Sequence, residues 1–409
     1  MNVAAPHCRV DSASVCVLLW LLMAIVTGEC SAQTLWQRHT IDNGSRGADG
    51  VRLGDVNRDG RPDIVTGWEE GGRVRICLQP TSEKVREPWP VWEVGQVKSP
   101  EDAVFADVNH DGWLDVVSCC EGKTQSVFFH INPGTNESGG WKTEVVPESV
   151  GRTRWMFCEP LDERRLVFGS KEPHAEISLL DLSGKREFRK LRSCGWIMSL
   201  RKLDVDNDGD PDILYSDRKG ARSGIGWLEN PGNDSAPWND HSIGGAGVEV
   251  MFLDVMESND GLIVAANTRM EILLLTSPSN VQQPWNLRRI AHPQNVGTGK
   301  GIRLTDLNSD GRPDLVCTCE NSQHKSGVCW LQQPSAESPV QSATEVSAAT
   351  ETWSFHDISG ANTGDGIKFD RIEILDIDGD GDRDVLTCEE RDNLGVIWYE
   401  NPERSRLSE

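Results

Sequence analysis

The sequence lacks the short motifs that mark common enzyme active sites and nucleic-acid-binding domains. It contains no nucleophile elbow, no zinc-ligand spacing and no phosphate-binding glycine loop. Basic residues are in deficit, with 41 Lys and Arg against 64 Asp and Glu and a formal net charge of -23. Phosphate backbones bind to basic surfaces, so nucleic acid is excluded as an expected partner.

Sustained helical periodicity is also missing. Val, Ile and Leu recur in alternating runs of five or six residues, as in β-strands, and never keep a 3.6-residue period. The 39 Gly and only 9 Phe among 409 residues fit a turn-rich chain. The expected fold class is therefore all-β.

Long apolar runs are absent apart from one near the N-terminus, Val15 to Val26. This run is too short to span a bilayer as an ordinary helix; it follows Arg9 and precedes small residues that end before Gln33. We predict a signal peptide over residues 1–32, with an uncleaved anchor as the alternative. The protein is then secreted, periplasmic or at the cell surface, with no transmembrane span after signal removal.

Cysteine does not provide a complete disulfide framework. Removing the signal peptide leaves nine of the 12 Cys, which is an odd number. We interpret as buried small apolar residues the five that lie in strand-like runs just after Asp-rich loops: Cys119, Cys120, Cys317, Cys319 and Cys388.

A repeat of about 50 residues organises the chain. Each unit combines an Asp-rich loop, a strand that ends in a Pro turn and a Trp-x-x-polar-x-aliphatic strand. Two units without metal ligands fill the gaps where the loop spacing doubles, so loop positions fall near residues 55, 107, 160, 204, 254, 306 and 376. Seven units of four strands predict a seven-bladed β-propeller.

One repeat is split between the two ends of the chain. The mature chain opens on the Trp-containing strand, from Leu35, and closes on the Pro-turn strand, from Gly395. This order predicts that an N-terminal strand closes the last blade and removes the open sheet edges. Residues 33–409 are then a single propeller domain, with a low-complexity loop at 334–351.

The five Asp-rich loops follow the pattern D-x-[DN]-x-D-G-x-x-D. Hard Ca²⁺ prefers six to eight oxygen ligands, and the Gly permits the sharp turn that points them inward. The predicted ligands, including one backbone carbonyl per loop, are Asp55, Asn57, Asp59, Arg61 and Asp63; Asp107, Asn109, Asp111, Trp113 and Asp115; Asp204, Asp206, Asp208, Asp210 and Asp212; Asp306, Asn308, Asp310, Arg312 and Asp314; and Asp376, Asp378, Asp380, Asp382 and Asp384. About five structural Ca²⁺ sites are expected, although Asp-Gly turns also form without metal.

These loops in a strand–loop–strand context resemble those of the FG-GAP or VCBS repeat propellers, the group that includes the integrin α-subunit head. The Phe-Gly and Gly-Ala-Pro elements are absent as written, which favours the bacterial secreted branch. The resemblance implies a calcium-binding propeller. Members of the group are variously adhesive, sugar-binding or enzymatic, so function is left open.

The face opposite the loops is predicted to hold any ligand, because charged and aromatic residues cluster at the strand ends that meet there. The candidate ligand-binding residues are Arg52, Glu69, Glu121, Trp155, Trp196, Arg218, Lys300, Lys368 and Glu390. The alternative for the charged residues is a structural network of ion pairs between blades. The alternative for the Trp residues is burial in the core.

Two functional classes follow. The first is a module that binds glycan or extracellular or envelope protein through this charged face. The second is a carbohydrate-active enzyme, since similar calcium propellers occur in polysaccharide lyases and in the fungal aldos-2-ulose dehydratase. Its acid/base candidates are Glu320 with His324, or Lys171 with His174.

Overall fold

The computed structural model describes residues 1, 36–233, 236–334, 352–360 and 365–402. The predicted signal peptide, apart from Met1, and nearly all of the low-complexity loop at 334–351 lie outside the described residues. Leu35–Glu409 forms one compact unit. Within the described residues, the single helical segment is a 3-10 turn over Pro147–Ser149, and no helix has the length and apolarity needed to cross a membrane.

The described chain forms seven four-stranded antiparallel sheets, which are the blades of a propeller. Blade 7 is β26 (Phe369–Leu375), β27 (Asp384–Glu389), β28 (Gly395–Glu400) and the N-terminal β1 (Gln37–Asp42). Blade 1 is β2 (Ala48–Gly54), β3 (Asp63–Trp68), β4 (Arg73–Cys77) and β5 (Val91–Gln96). Blade 2 is β6 (Pro100–Ala106), β7 (Asp115–Cys120), β8 (Ser126–Ile131) and β9 (Lys142–Val145).

The remaining blades follow in chain order. Blade 3 is β10 (Arg154–Pro160), β11 (Arg165–Lys171), β12 (Glu176–Asp181) and β13 (Phe188–Ser193). Blade 4 is β14 (Ile197–Leu203), β15 (Asp212–Asp217), β16 (Gly224–Glu229) and β17 (Asn239–Gly244). Blade 5 is β18 (Val250–Ser258), β19 (Gly261–Thr268), β20 (Glu271–Thr276) and β21 (Asn286–Ala291). Blade 6 is β22 (Thr298–Thr305), β23 (Asp314–Glu320), β24 (Val328–Gln332) and β25 (Ser354–Asp357).

The predicted seven-bladed propeller, with its N-terminal strand in the last blade, is confirmed. β1 pairs antiparallel with β28, with Gln37 opposite Glu400. The first strands of neighbouring blades pack against one another around the whole ring, including β2 of blade 1 against β26 of blade 7. These seven strands are therefore the inner strands that surround the axis.

The core lies between neighbouring blades and is made of aliphatic, Trp and Cys side chains. The nine cysteines of the described chain are free thiols, and all but the half-buried Cys194 are buried, including the five interpreted from the sequence as small apolar residues. In three blades a Trp of the third strand stacks on a His of the outer strand: Trp398 on His39 (ring centroids 4.6 Å apart), Trp227 on His241 (4.5 Å) and Trp330 on His356 (4.1 Å).

Every inner strand carries a β-bulge near its start. Pairing with the second strand shifts register between Asp49 and Arg52 in blade 1, and the equivalent shift occurs in the other six inner strands. A bulge adds an unpaired residue and re-aims the neighbouring side chains. The same local irregularity therefore turns side chains toward the axis at one level of the ring.

Candidate functional site

The Asp-rich loops join the inner strand to the second strand in blades 1, 2, 4, 6 and 7, and they share one conformation. In the first loop the Asp55 carboxylate accepts the backbone N–H groups of Asp59 and Gly60, at 3.0 and 2.9 Å. Gly60 has a φ of 85°, a left-handed conformation that Gly adopts without a steric penalty. The equivalent glycines of the other four loops have φ between 83° and 94°, so the turn repeats in all five.

The last Asp of each loop fastens the blade together. Asp212 is fully buried, and its two oxygens accept the N–H groups of Asn230, after the third strand, and Val205, in the loop, at 2.7 and 2.9 Å. The same pair of bonds occurs at Asp63, Asp115, Asp314 and Asp384. Burial raises the pKa of Asp212 to about 7. This carboxylate thus has a structural role whatever else it binds.

The loops of blades 4 and 7 gather three carboxylates each. The oxygens of Asp204, Asp206 and Asp212 lie within 4.8 Å of one another, as do those of Asp376, Asp378 and Asp384. Asp206 Oδ1 is buried and has no hydrogen-bond partner in the described chain. Convergent oxygens with a spare acceptor are the donor set that a hard cation such as Ca²⁺ requires, so the residues fit that ion.

A cavity of about 330 Å³ opens at the axis on the face opposite the loops. Its lining combines residues at the starts of inner strands, such as Asp49 and Lys300, with residues at the ends of second strands, such as Glu69 and Glu121. In an antiparallel pair, the start of one strand lies beside the end of the other strand. Residues that are distant in the sequence therefore meet at this cavity.

One side of the cavity is rich in carboxylates. Asp49, Glu69 and Glu101 have oxygens within 4.8 Å of one another. Burial, followed by the nearby carboxylate of Glu121, raises the pKa of Glu101 to about 8. Burial, and then the charge of Asp370, also holds the pKa of Asp49 well above its ordinary value. This side of the cavity is therefore an array of acceptors that resists carrying its full negative charge.

Three lysines neutralise other carboxylates around the mouth, in the contacts Lys171 with Glu121, Lys300 with Asp370 and Lys368 with Glu390. Burial raises the pKa of Asp370, but the charge of Lys300 lowers it, and the pKa of Asp370 lies below its ordinary value.

The opposite side of the cavity, on blades 3 to 5, carries donors and apolar groups. Trp196 Nε1 and Arg218 Nε are buried donors without a hydrogen-bond partner in the described chain. Cationic groups of Lys171 and Arg218 each lie 4.5 Å from the centre of the Trp196 ring. The remaining wall is formed by Phe157, Met198, Met251 and Phe252. The cavity thus has an acceptor side and a donor side that face each other.

Residues 55–118 match the family model described as "FG-GAP-like repeat". They run from the first Asp-rich loop, through β3 to β6, to the second loop and most of β7. This segment is an FG-GAP-like repeat. No curated protein matches the sequence.

Two solved structures resemble the ring that carries this FG-GAP-like repeat. The crystal structure of BBS1N in complex with ARL6DN, soaked with mercury, has a TM-score of 0.53 and 11% identity, over 90% of this chain and 97% of that one. Kuenenia stuttgartiensis hydrazine synthase has a TM-score of 0.53 and 12% identity, over 88% of this chain and 96% of that one. At such identity the likeness shows the fold alone. The FG-GAP-like match and the seven-bladed ring together support a scaffold of the binding-module type.

The structure brings most of the predicted ligand-binding residues to the cavity. Lining residues from that prediction are Glu69, Glu121, Trp196, Arg218, Lys300 and Lys368. Glu390 contacts Lys368 beside the cavity. Trp155 is not in the lining; it is fully buried between blades, and its indole N–H donates to the Ser149 carbonyl at 3.0 Å.

Arg52 lies further along its inner strand, in a buried belt of ion pairs between blades. It contacts Asp102 of blade 2 at 3.2 Å and Glu159 of blade 3 at 3.1 Å. On the other side of the ring, Asp254 of blade 5 contacts Arg201 of blade 4 at 2.8 Å and Arg303 of blade 6 at 3.0 Å, and Arg303 also contacts Glu373 of blade 7 at 2.5 Å. Arg52 therefore belongs to a structural network of ion pairs between blades, which is the alternative interpretation of the charged residues.

Only one member of each predicted acid/base pair lies at the cavity. Glu320 and Lys171 line the cavity, whereas His324 and His174 are exposed. In the described chain no hydrogen bond or ion pair joins Glu320 to His324, or Lys171 to His174.

Four residues that line the cavity are not among the predicted ligand-binding residues: Asp49, Glu101, Met198 and Asp370. A sequence signal for them exists. Each lies six residues before the first Asp of its loop, as Lys300 does in blade 6. This spacing mirrors that of Glu69 and its equivalents, which lie six residues after the last loop Asp.

Proposed function

We propose that this chain is an exported, calcium-stabilised propeller that binds a glycan in the axial cavity. The observation that carries the proposal is that unsatisfied donors and a group of carboxylate acceptors line the two sides of one cavity. Trp196 Nε1 and Arg218 Nε have no hydrogen-bond acceptor in the described chain, and the carboxylates of Asp49 and Glu101 line the other side of the cavity. A buried polar group without a partner is costly, so a ligand that satisfies both sides gains affinity.

Sugars fit these requirements better than other small ligands. Each hydroxyl is both a donor and an acceptor, so one ring can satisfy carboxylates on one side and N–H groups on the other. The C–H face of a sugar also suits the apolar wall that includes Phe157 and Phe252. A cavity of about 330 Å³ is at the small end of ligand pockets, which favours a terminal sugar unit over a protein surface.

The test is a glycan array probed with the mature chain in Ca²⁺ and in EDTA, followed by calorimetric titration of the best glycan. Trp196→Phe keeps the ring but removes the unpaired N–H, and we expect it to weaken binding about tenfold, the value of one buried hydrogen bond. The matched control is Trp113→Phe on the loop face, which should bind as the wild type does. Equal affinity of wild type and Trp196→Phe, or no glycan bound at all, contradicts the proposal.

Calcium and export are supported by independent features. Five loops with one conformation, and the spare acceptor of Asp206, favour Ca²⁺ as a structural ion. Loops of this kind bind weakly, on the order of 10⁻⁴ to 10⁻³ M, and stay loaded at extracellular calcium levels. The apolar run from Val15 to Val26 favours export. Mass spectrometry of the protein from its natural compartment should give an N-terminus at Gln33.

Catalysis is the second outcome that the same experiment can reveal. A screen of uronic-acid and keto-sugar substrates would detect a lyase or dehydratase. Turnover that is abolished by Glu320→Gln would replace the binding proposal with the enzymatic one.

A further inference from the structure

The carboxylates around the axial cavity fall into two groups. Glu121, Asp370 and Glu390 each contact a lysine. Asp49, Glu69 and Glu101 have no lysine or arginine partner and accept no hydrogen bond from a nitrogen donor in the described chain, yet their oxygens lie within 4.8 Å of one another. The second group is therefore a cluster of carboxylates without a directly contacting cation, on which the charges of Lys171, Lys300 and Lys368 act only from a greater distance.

Asp49 is the most constrained member of this group. It is 5% exposed and lies just before Gly50, at the bulge of β2, which places its carboxylate in the lining of the cavity. Its carboxylate neighbours are Glu69 and Glu101 on one side and Asp370 and Glu390 on the other. A buried carboxylate among other carboxylates either keeps a proton or gains a cation as its partner.

We propose that Asp49, Glu69 and Glu101 bind one hard divalent cation, of the Ca²⁺ or Mg²⁺ class, in the axial cavity. The donor set is oxygen only, which selects this class over zinc or copper. The ligands come from blades 1 and 2, on the face opposite the Asp-rich loops, so the site is separate from those loops.

The cation would also change what the cavity can bind. Three protein carboxylates leave coordination positions open for water or for ligand oxygens. The inference concerns the cavity of the proposed function, but it does not depend on glycan binding.

Ion counting tests the inference. The mature chain is dialysed to equilibrium against Ca²⁺ in one experiment and Mg²⁺ in another, and bound metal is measured by atomic absorption. Glu101→Gln should bind one ion fewer per chain than the wild type for at least one of the two metals. The control is Glu70→Gln, since Glu70 is exposed and pairs with Arg46, and its count should equal that of the wild type.

Thermal unfolding gives the second measurement. Glu101→Gln removes repulsion, so in chelator it should melt no lower than the wild type, and it should gain less from added metal. If Glu101→Gln does not fold, Glu69→Gln is measured in its place. Equal ion counts for variant and wild type with both metals, or an equal gain in melting temperature, overturn the inference. Because no glycan is present, failure here is distinct from failure of the proposed function.

Discussion

His130 illustrates how a single buried residue ties stability to pH. Its ring nitrogens contact the hydroxyl oxygens of Ser118 and Thr143 at 2.9 and 3.0 Å. Gly95 of the neighbouring blade allows this packing, since a Cβ there would lie 2.2 Å from His130 Cε1. Burial lowers the pKa of His130 to about 4, so the folded protein keeps this imidazole neutral.

Replacing His130 should remove a pH-dependent part of the folding free energy. The unfolded imidazole has a pKa near 6.5 and takes up a proton as the pH falls below that value, whereas the folded one does so only near 4. The stability contributed by the neutral ring is therefore present above pH 6.5 and lost as the pH falls toward 4. Between pH 7 and pH 4.5 the wild type should lose about 2 kcal/mol more than His130→Asn does.

Urea unfolding at several pH values measures this difference. The exposed His174→Asn is the control and should follow the wild type. Parallel pH profiles for the wild type and His130→Asn would show that the buried imidazole has no such effect.

At the scale of the element, the loop between the first two strands of a blade combines a structural aspartate, which accepts two backbone hydrogen bonds, with a candidate ion site. In blade 4 the fastening residue is Asp212, with both oxygens bonded to backbone N–H groups, and Asp206 has an oxygen with no partner. Burial, and then the charge of Asp208, raises the pKa of Asp206. The two aspartates should therefore respond differently to the same substitution.

Asp212→Asn should destabilise the protein in EDTA by about 1–3 kcal/mol, because the amide replaces one acceptor and strands a buried N–H. Asp206→Asn should leave stability in EDTA unchanged or slightly raised, since it removes repulsion, and should reduce the stabilisation by Ca²⁺. That stabilisation is about 2 kcal/mol per site at fifty times the Kd. Thermal melts of each variant, with EDTA and with Ca²⁺, separate the two roles; an identical Ca²⁺ response in Asp206→Asn and the wild type would remove Asp206 from the ion site.

Element spacing also explains how much could be predicted from the sequence. The doubled spacing between loops is enough to place the two blades that lack metal ligands, because each blade needs about the same length of chain. Bulges and packing depth leave no comparable signal. Trp155 precedes the bulge of β10 and packs between Phe168 and Phe188, whereas Phe157, just after the bulge, reaches the cavity. Periodicity alone cannot distinguish the two directions.

At the scale of the whole molecule, the ring depends on contacts between distant blades. Strand β1 buries Ile41 completely and stacks His39 on Trp398, so the last blade is completed by the first strand of the described ring. The belt that includes Arg52 and Arg303 joins inner strands across blade boundaries. Closure is thus shared between one strand pair and a buried charge network.

A chain that begins at Gly44 should lose closure, because β28 then presents an unpaired edge. Burial of Ile41 alone is worth about 2 kcal/mol, so the melting temperature should fall well below that of a chain that begins at Gln33. A synthetic peptide of residues 33–43 should restore part of the loss. Equal melting curves for the two chains would show that β1 does not hold the ring closed.

The pairing of β1 with β28 also determines how the molecule can be displayed. Gln37 lies opposite Glu400, and the Asn401 backbone N–H donates to Asp384 of an Asp-rich loop, so the two ends of the described ring lie beside each other on the loop face. A tether or a fused domain that joins the described ring at Gln37 or Asn401 therefore attaches on the loop face. The axial cavity opens on the opposite face, away from these two attachment points.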